Sequence, residues 1–139
     1  TSVLFTGFVP FNDIKKEIED IDILFAQIMP NYVTAIPTKI FEYIASGREI
    51  LLGIPDGPAK ELFLQFNGIE TFFPGDKTAF LLAYNRLINV RVSDLEKNQN
   101  IHILKEYYLR EKCVKPLIKA LVSELKSNQN PTQNNKVKS

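Results

Sequence analysis

Cysteine occurs once in 139 residues, as Cys113. One thiol excludes an internal disulfide and fits a reducing compartment. Histidine also occurs once, and His102 has no second histidine or cysteine at ligand spacing, so the pattern describes no metal site. An excess of one charge is missing too, because 17 Lys and Arg stand against 16 Asp and Glu, a net of +1. That balance supplies no electrostatic footprint for nucleic acid or for an acidic membrane. No window approaches the roughly 20 apolar residues that span a bilayer, and no basic, apolar, small-residue leader opens the chain. Gly7 and Gly57 form neither a GxGxxG fingerprint nor a Walker loop, and no internal repeat is visible. What remains is ordinary globular material, 45% apolar and 24% charged, long enough for one domain with a sizeable core. The expectation is a soluble, cytoplasmic α/β domain. A start at Thr1, almost directly in a strand, points to a fragment of a longer chain.

Strand-like and helix-like segments alternate. Residues 3–5 read as a short strand ended by Gly7 and Pro10. Asn12 or Asp13 caps a helix to about residue 19, with Ile14 and Ile18 four apart on its buried face. Residues 21–28 are largely apolar, as in a strand buried on both faces. A loop with two prolines leads to a helix near 38–46, and a second buried strand covers 48–54. Asp56-Gly57-Pro58 is a turn, and Pro58 opens a helix to about residue 66. Residues 69–73 form a strand. Pro74-Gly75-Asp76 turns the chain into an amphipathic helix over about 77–90, with Phe80, Leu81, Tyr84, Leu87 and Ile88 spaced for burial. Ser93 and Glu96 match a capping box, and residues 98–100 break the run. Helices are expected over 101–112 and 117–126, interrupted at Pro116. The tail from 127 has no apolar period and reads as disordered. Such alternation predicts a parallel sheet with helices on its faces.

The most informative stretch is PTKIFEYIASGREIL, residues 37–51. Pro37 suits the first turn of a helix and Gly47 the left-handed residue that closes it. Ile40, Phe41, Ile44 and Ala45 make one helical face, while Lys39, Glu42, Tyr43 and Ser46 make the other. A βαβ unit of this kind sets the helix start at the carboxyl edge of a parallel sheet, where such folds bind ligands. Lys39 and Glu42 also stand at the spacing of an ordinary solvated helix pair, worth a few tenths of a kcal/mol.

This stretch resembles the nucleotide-sugar-binding segment of retaining glycosyltransferases with the GT-B fold. Their pattern is proline, small residue, lysine, two apolar residues, glutamate, and a small-residue run ending in glycine. The flanks agree in order: VLFTGFVP at 3–10, DIDILFAQ at 20–27, PDGPAKEL at 55–62 and NGIETFFPGDKTAFLLAYNRL at 67–87. The resemblance covers about residues 3–90. It implies a Rossmann-like parallel sheet with flanking helices, part of the carboxyl-terminal domain of such an enzyme. Residues 1–92 would be the partial nucleotide-sugar-binding domain, 93–126 the carboxyl-terminal helices and 127–139 the tail.

The resemblance also implies roles. Glu42 would accept hydrogen bonds from the donor ribose diol, a task suited to a carboxylate. Lys39, with Thr38 and the helix-start amides after Pro37, would face the diphosphate. Negative charge develops there as a nucleoside diphosphate departs. Gly57, Pro58 and Ala59 open the next helix, which reads either as a second anion site or as a plain strand-to-helix connection. The implied partners are a nucleotide sugar as donor substrate and a glycan or lipid-linked acceptor held by an amino-terminal domain. Nucleic acid has no part, and the complete enzyme would touch membranes peripherally. Neither a cofactor nor a metal is implied, and the isolated chain would be inactive.

Two features depart from the pattern. The acidic residue often found eight positions before the ribose glutamate is Thr34 here, which leaves Asn31, Tyr32 and the loop backbone to meet the sugar. If residues 3–7 correspond to the third of six strands in the order 3-2-1-4-5-6, their usual neighbour is absent. That strand must then stay unpaired, dock elsewhere or pair with another chain. The alternative function is a non-catalytic nucleotide-binding or interaction module with the same fold. A receiver domain is disfavoured by Gln27 and Gly53 at strand ends, where it needs acidic residues. Tyr107 and Tyr108 read as helix packing, and Cys113, lacking a partner base, as an inert thiol.

Overall fold

The computed structural model describes residues 3–128, divided by their contacts into one unit ending at Ile101 and another starting at His102. The first unit runs α1 (Phe11–Glu19), β1 (Ile23–Gln27), α2 (Thr38–Ser46), β2 (Glu49–Gly53), α3 (Pro58–Phe63), β3 (Ile69–Phe72) and α4 (Lys77–Asn89), then enters α5 (Asp94–Ile103). The fold is α/β, a Rossmann-like three-stranded parallel sheet with flanking helices.

The sheet order is β1-β2-β3. The uninterrupted apolar run Ile50-Leu51-Leu52 explains why β2 is central, since both its faces must be covered. All five of its residues are buried. Leu51 pairs with Phe25 on one side and Glu70 on the other. Side chains alternate along a strand, so Leu51 and Phe72 meet Ala83 and Leu87 of α4 on one face. Ile50 and Leu52 therefore point to the opposite face, which carries α2 and α3. There Ile40, Ile44, Ala59 and Phe63 are buried, and the rings of Phe41 and Phe63 lie 5.6 Å apart.

Local signals set the helix ends. Pro37 precedes α2 with φ −69°, and Gly47 follows it in the left-handed region at φ 72°. The Asp76 side chain accepts the Ala79 N–H at 2.9 Å, which caps α4. Ser93 and Glu96 form the reciprocal capping box, with Ser93 N–H donating to Glu96 Oε2 at 2.8 Å and Glu96 N–H donating to Ser93 Oγ at 3.3 Å.

Several expectations are corrected. Residues 3–10 form no strand, and Val3, Leu4, Phe5 and Phe8 stand exposed. A strand exists only through a hydrogen-bonded neighbour, and this segment pairs with none among the described residues. Helix α1 starts at Phe11 after Pro10, without a side-chain cap from Asn12 or Asp13. The strand β1 is an edge, not doubly buried, because α4 covers β2 and β3 and leaves Phe25 53% exposed. On α4 the buried residues are Ala83 and Leu87, while Leu81, Tyr84 and Ile88 are exposed. Asn100 does not break its helix. Buried to 4% exposure, it uses its amide on the main chain of Asn67, so a polar residue is satisfied inside α5.

The second unit comprises the end of α5, a π-helical turn at Leu104–Tyr108, and α6 (Arg110–Asn128). The break falls at Leu109, whose ψ of 132° is extended, and Pro116 lies inside α6. A helix that restarts at Arg110 keeps Pro116 in its second turn and gives up one main-chain hydrogen bond there. Of the expected tail, residues 127 and 128 belong to α6, and the remainder lies outside the described residues.

Candidate functional site

Parallel strands carry their following loops to the carboxyl edge of the sheet, so the approaches to α2 and α3 emerge side by side. The first loop makes two consecutive turns, with Tyr32 N–H donating to the Met29 carbonyl at 3.0 Å and Ala35 N–H to that of Tyr32 at 3.2 Å. The second approaches it closely. A Cβ on Gly57 would sit 3.1 Å from the Val33 carbonyl oxygen, and its φ of 154° is one that side chains rarely adopt. The loop before α2 and the start of α3 are thus neighbours, and glycine at 57 permits it.

At the start of α2, Thr38 is the first helical residue and is exposed. Pro37 makes the cap position, its carbonyl accepting the Ile40 N–H at 3.1 Å. Lys39 is exposed and holds its ammonium 5.8 Å from the centre of the Tyr43 ring. Lys39 and Glu42 form no ion pair: the lysine spends its charge on the ring, and the carboxylate turns elsewhere.

Glu42 lines a cleft of about 530 Å³ between α1 and α2. Ile14 and Ile18 of α1 and Ala45 of α2 give its apolar walls, while Lys15, Ser46 and Arg48 add polar groups. Arg48 is already engaged, its guanidinium donating to the main-chain carbonyl of Glu19 and so tying the end of α1 to the start of β2. Ser46 Oγ donates to the Tyr43 carbonyl at 2.6 Å. Glu42 makes no hydrogen bond or ion pair among the described residues, and its two oxygens keep their full acceptor capacity. A carboxylate on an apolar wall with Lys15 at the same cleft suits a ligand bearing adjacent hydroxyls, while Pro37, Thr38 and Lys39 are not among the residues that line it.

The start of α3 differs. Pro58 has no N–H to offer, and Ala59 is buried. Asp56 stands at this turn, paired with Lys60 at 2.7 Å. The helix has only six residues. Its end therefore presents a carboxylate where an anion site needs donors, which favours the plain strand-to-helix reading of Gly57, Pro58 and Ala59. The structure brings these three beside the loop before α2 and does not bring them into the Glu42 cleft.

Sequence reasoning missed Lys15 and Arg48 as neighbours of Glu42. The only signal was the Ile14–Ile18 spacing, which marks a buried face but not the helix it faces. Elsewhere, Glu49 is a buried carboxylate at the amino edge, accepting the Val92 N–H at 3.2 Å with Arg91 at 3.6 Å. That is a satisfied structural pair. Among the described residues no three His, Cys, Asp or Glu side chains cluster as metal ligands, and no helix is long and apolar enough to cross a membrane. Comparison with protein-family models, curated proteins and solved structures finds no match.

Proposed function

We propose that this chain is the carboxyl-terminal, donor-binding part of a GT-B fold glycosyltransferase. The complete enzyme transfers a sugar from a nucleoside diphosphate to a glycan or glycolipid acceptor, working in the cytoplasm with peripheral membrane contact. One observation carries the reading: Glu42 presents an unpaired carboxylate to a cleft, on a helix entered through Pro37 and closed by Gly47. The order of motifs from residue 3 to residue 90 supports the same reading.

In this account Glu42 accepts hydrogen bonds from both ribose hydroxyls. Lys39, once it swings away from the Tyr43 ring, and the first amides of α2, at Thr38 and onward, face the diphosphate. When the bond between the anomeric carbon and the phosphate oxygen breaks, the electron pair leaves with that oxygen. A cation and oriented amides stabilise the charge as it forms. The acceptor is held by the enzyme's other domain, so catalysis here is positional and electrostatic.

The test is a titration of the labelled chain with UDP, GDP, ADP and CDP, followed by amide NMR, with Glu42→Ala beside it. Saturable shifts at residues 37–47 that weaken in the variant are expected, and the strongest binder names the base. Shifts elsewhere, or shifts that ignore the substitution, contradict the assignment. Sugar transfer by the purified chain would contradict the division of labour.

A further inference from the structure

Among the described residues, the strand β1 has an open side. It lies at one end of the order β1-β2-β3, with β2 along its inner edge only. The Ile28 N–H donates inward to the Gly53 carbonyl at 2.8 Å. Backbone groups alternate along a strand, so Leu24 and Ala26 also point toward β2, while Phe25 and Gln27 aim their amides outward. Beside that row the sheet face is bare and apolar. Phe25 is 53% exposed and stacks in a chain of rings, 6.3 Å from Phe72 and 6.4 Å from Phe80, which in turn lies 6.4 Å from Tyr84. An open strand edge beside exposed aromatics is a place where chains associate unless something covers it.

The chain holds an occupant. Residues 3–6, Val-Leu-Phe-Thr, have the composition of a buried strand. Val3, Leu4 and Phe5 are 79%, 84% and 90% exposed, with no packing of their own. The connection to β1 is that of a βαβ unit: a four-residue turn at 7–10, helix α1, and three residues at 20–22. These sixteen residues meet the dozen or more that a parallel crossover requires.

The position of α1 also fits. Crossovers between parallel strands are right-handed with few exceptions. A strand on the open side of β1, leading through a helix into β1, must therefore put that helix on the face that carries α2. Helix α1 is already there, sharing the Glu42 cleft with α2 and bound at its end by Arg48.

We propose that in this chain, without the upstream strands that the enzyme proposed above would supply, residues 3–6 close onto the open edge of β1 as a fourth parallel strand. The docked strand buries the apolar row that now stands in water and caps the outward amides of Phe25 and Gln27. It also brings the turn at Gly7, which has the left-handed φ of 68°, to the carboxyl edge beside the start of α2. A second copy of the chain is the rival occupant. The short, correctly placed crossover favours the intramolecular strand, because closing a loop of this length costs less than bringing two molecules together.

Amide hydrogen exchange on the full chain tests this. The expected result is that Phe25 and Gln27 exchange about 100-fold more slowly than exposed amides, at every protein concentration. The double variant Leu4→Pro, Phe5→Pro removes two donors from an exposed segment. It should return Phe25 and Gln27 to near-free exchange while Leu24 and Ala26 stay protected, which shows that the sheet itself survives. Free exchange of Phe25 and Gln27 in the unmodified chain overturns the proposal. So does protection that persists in the double variant. Protection that fades on dilution, together with a dimer mass at high concentration, assigns the edge to a second copy and overturns it equally.

Discussion

Asn100 grips the main chain of Asn67 through both ends of its side-chain amide. Its Oδ1 accepts the Asn67 N–H at 2.9 Å and its Nδ2 donates to the Asn67 carbonyl at 2.8 Å. This pair fastens α5 to the turn between α3 and β3, across 33 positions of sequence. Replacing it leaves two main-chain groups without partners in a part-buried place. Asn100→Ala should cost about 2–3 kcal/mol, read as a lower urea midpoint with an unchanged slope. Asn100→Asp, which keeps the acceptor but sets a carboxylate oxygen against the Asn67 carbonyl in a buried place, should cost at least as much.

Phe63 is fully buried on the α2 and α3 face, against the ring of Phe41. Phe63→Ala should destabilise the chain by about 3–5 kcal/mol through lost burial and the remaining cavity. Calorimetry checks this, and a change under about 1 kcal/mol would mean that α3 is not part of the cooperative core.

Glu96 is held below the ordinary carboxylate value of 4.5 by hydrogen bonds from Ser93, first from its hydroxyl at 2.7 Å and then from its N–H at 2.8 Å. A carboxyl lowered in the folded state contributes stability above its unfolded value and loses it as pH falls through the folded one. Thermal stability should therefore drop with acid below about pH 4.5. The part due to this cap should vanish in Glu96→Gln. Identical acid profiles for the two proteins would contradict the assignment.

The alternation of strand and helix was legible because its signals are local. Pro37 and Gly47 bracket α2, Asp76 caps α4, and the apolar run at 50–52 marks the central strand without reference to distant residues. What escaped was set by tertiary pairing. Residues 3–5 look like a strand, yet no local property decides whether a neighbour accepts them. Phe25 is exposed because of where α4 lands, and Asn100 is satisfied by a main chain 33 residues away. The site divides in the same manner. Glu42 and Lys39 were visible in one motif, but their separate fates were not. Lys39 turns to Tyr43 on its own helix, whereas Glu42 turns to a cleft that exists only because α1 docks beside α2.

The measurement that bears most directly on the central claim compares two ligands against two proteins. Calorimetric titration of a nucleoside diphosphate and its 2′,3′-dideoxy form isolates the ribose hydroxyls, and Glu42→Gln isolates the carboxylate. If Glu42 holds the ribose diol, the unmodified chain prefers the hydroxylated ligand by about 10- to 100-fold. Glu42→Gln then erases most of that preference while binding the dideoxy form as before. Equal affinity of the unmodified chain for both ligands, or a preference that survives the substitution, would contradict the account.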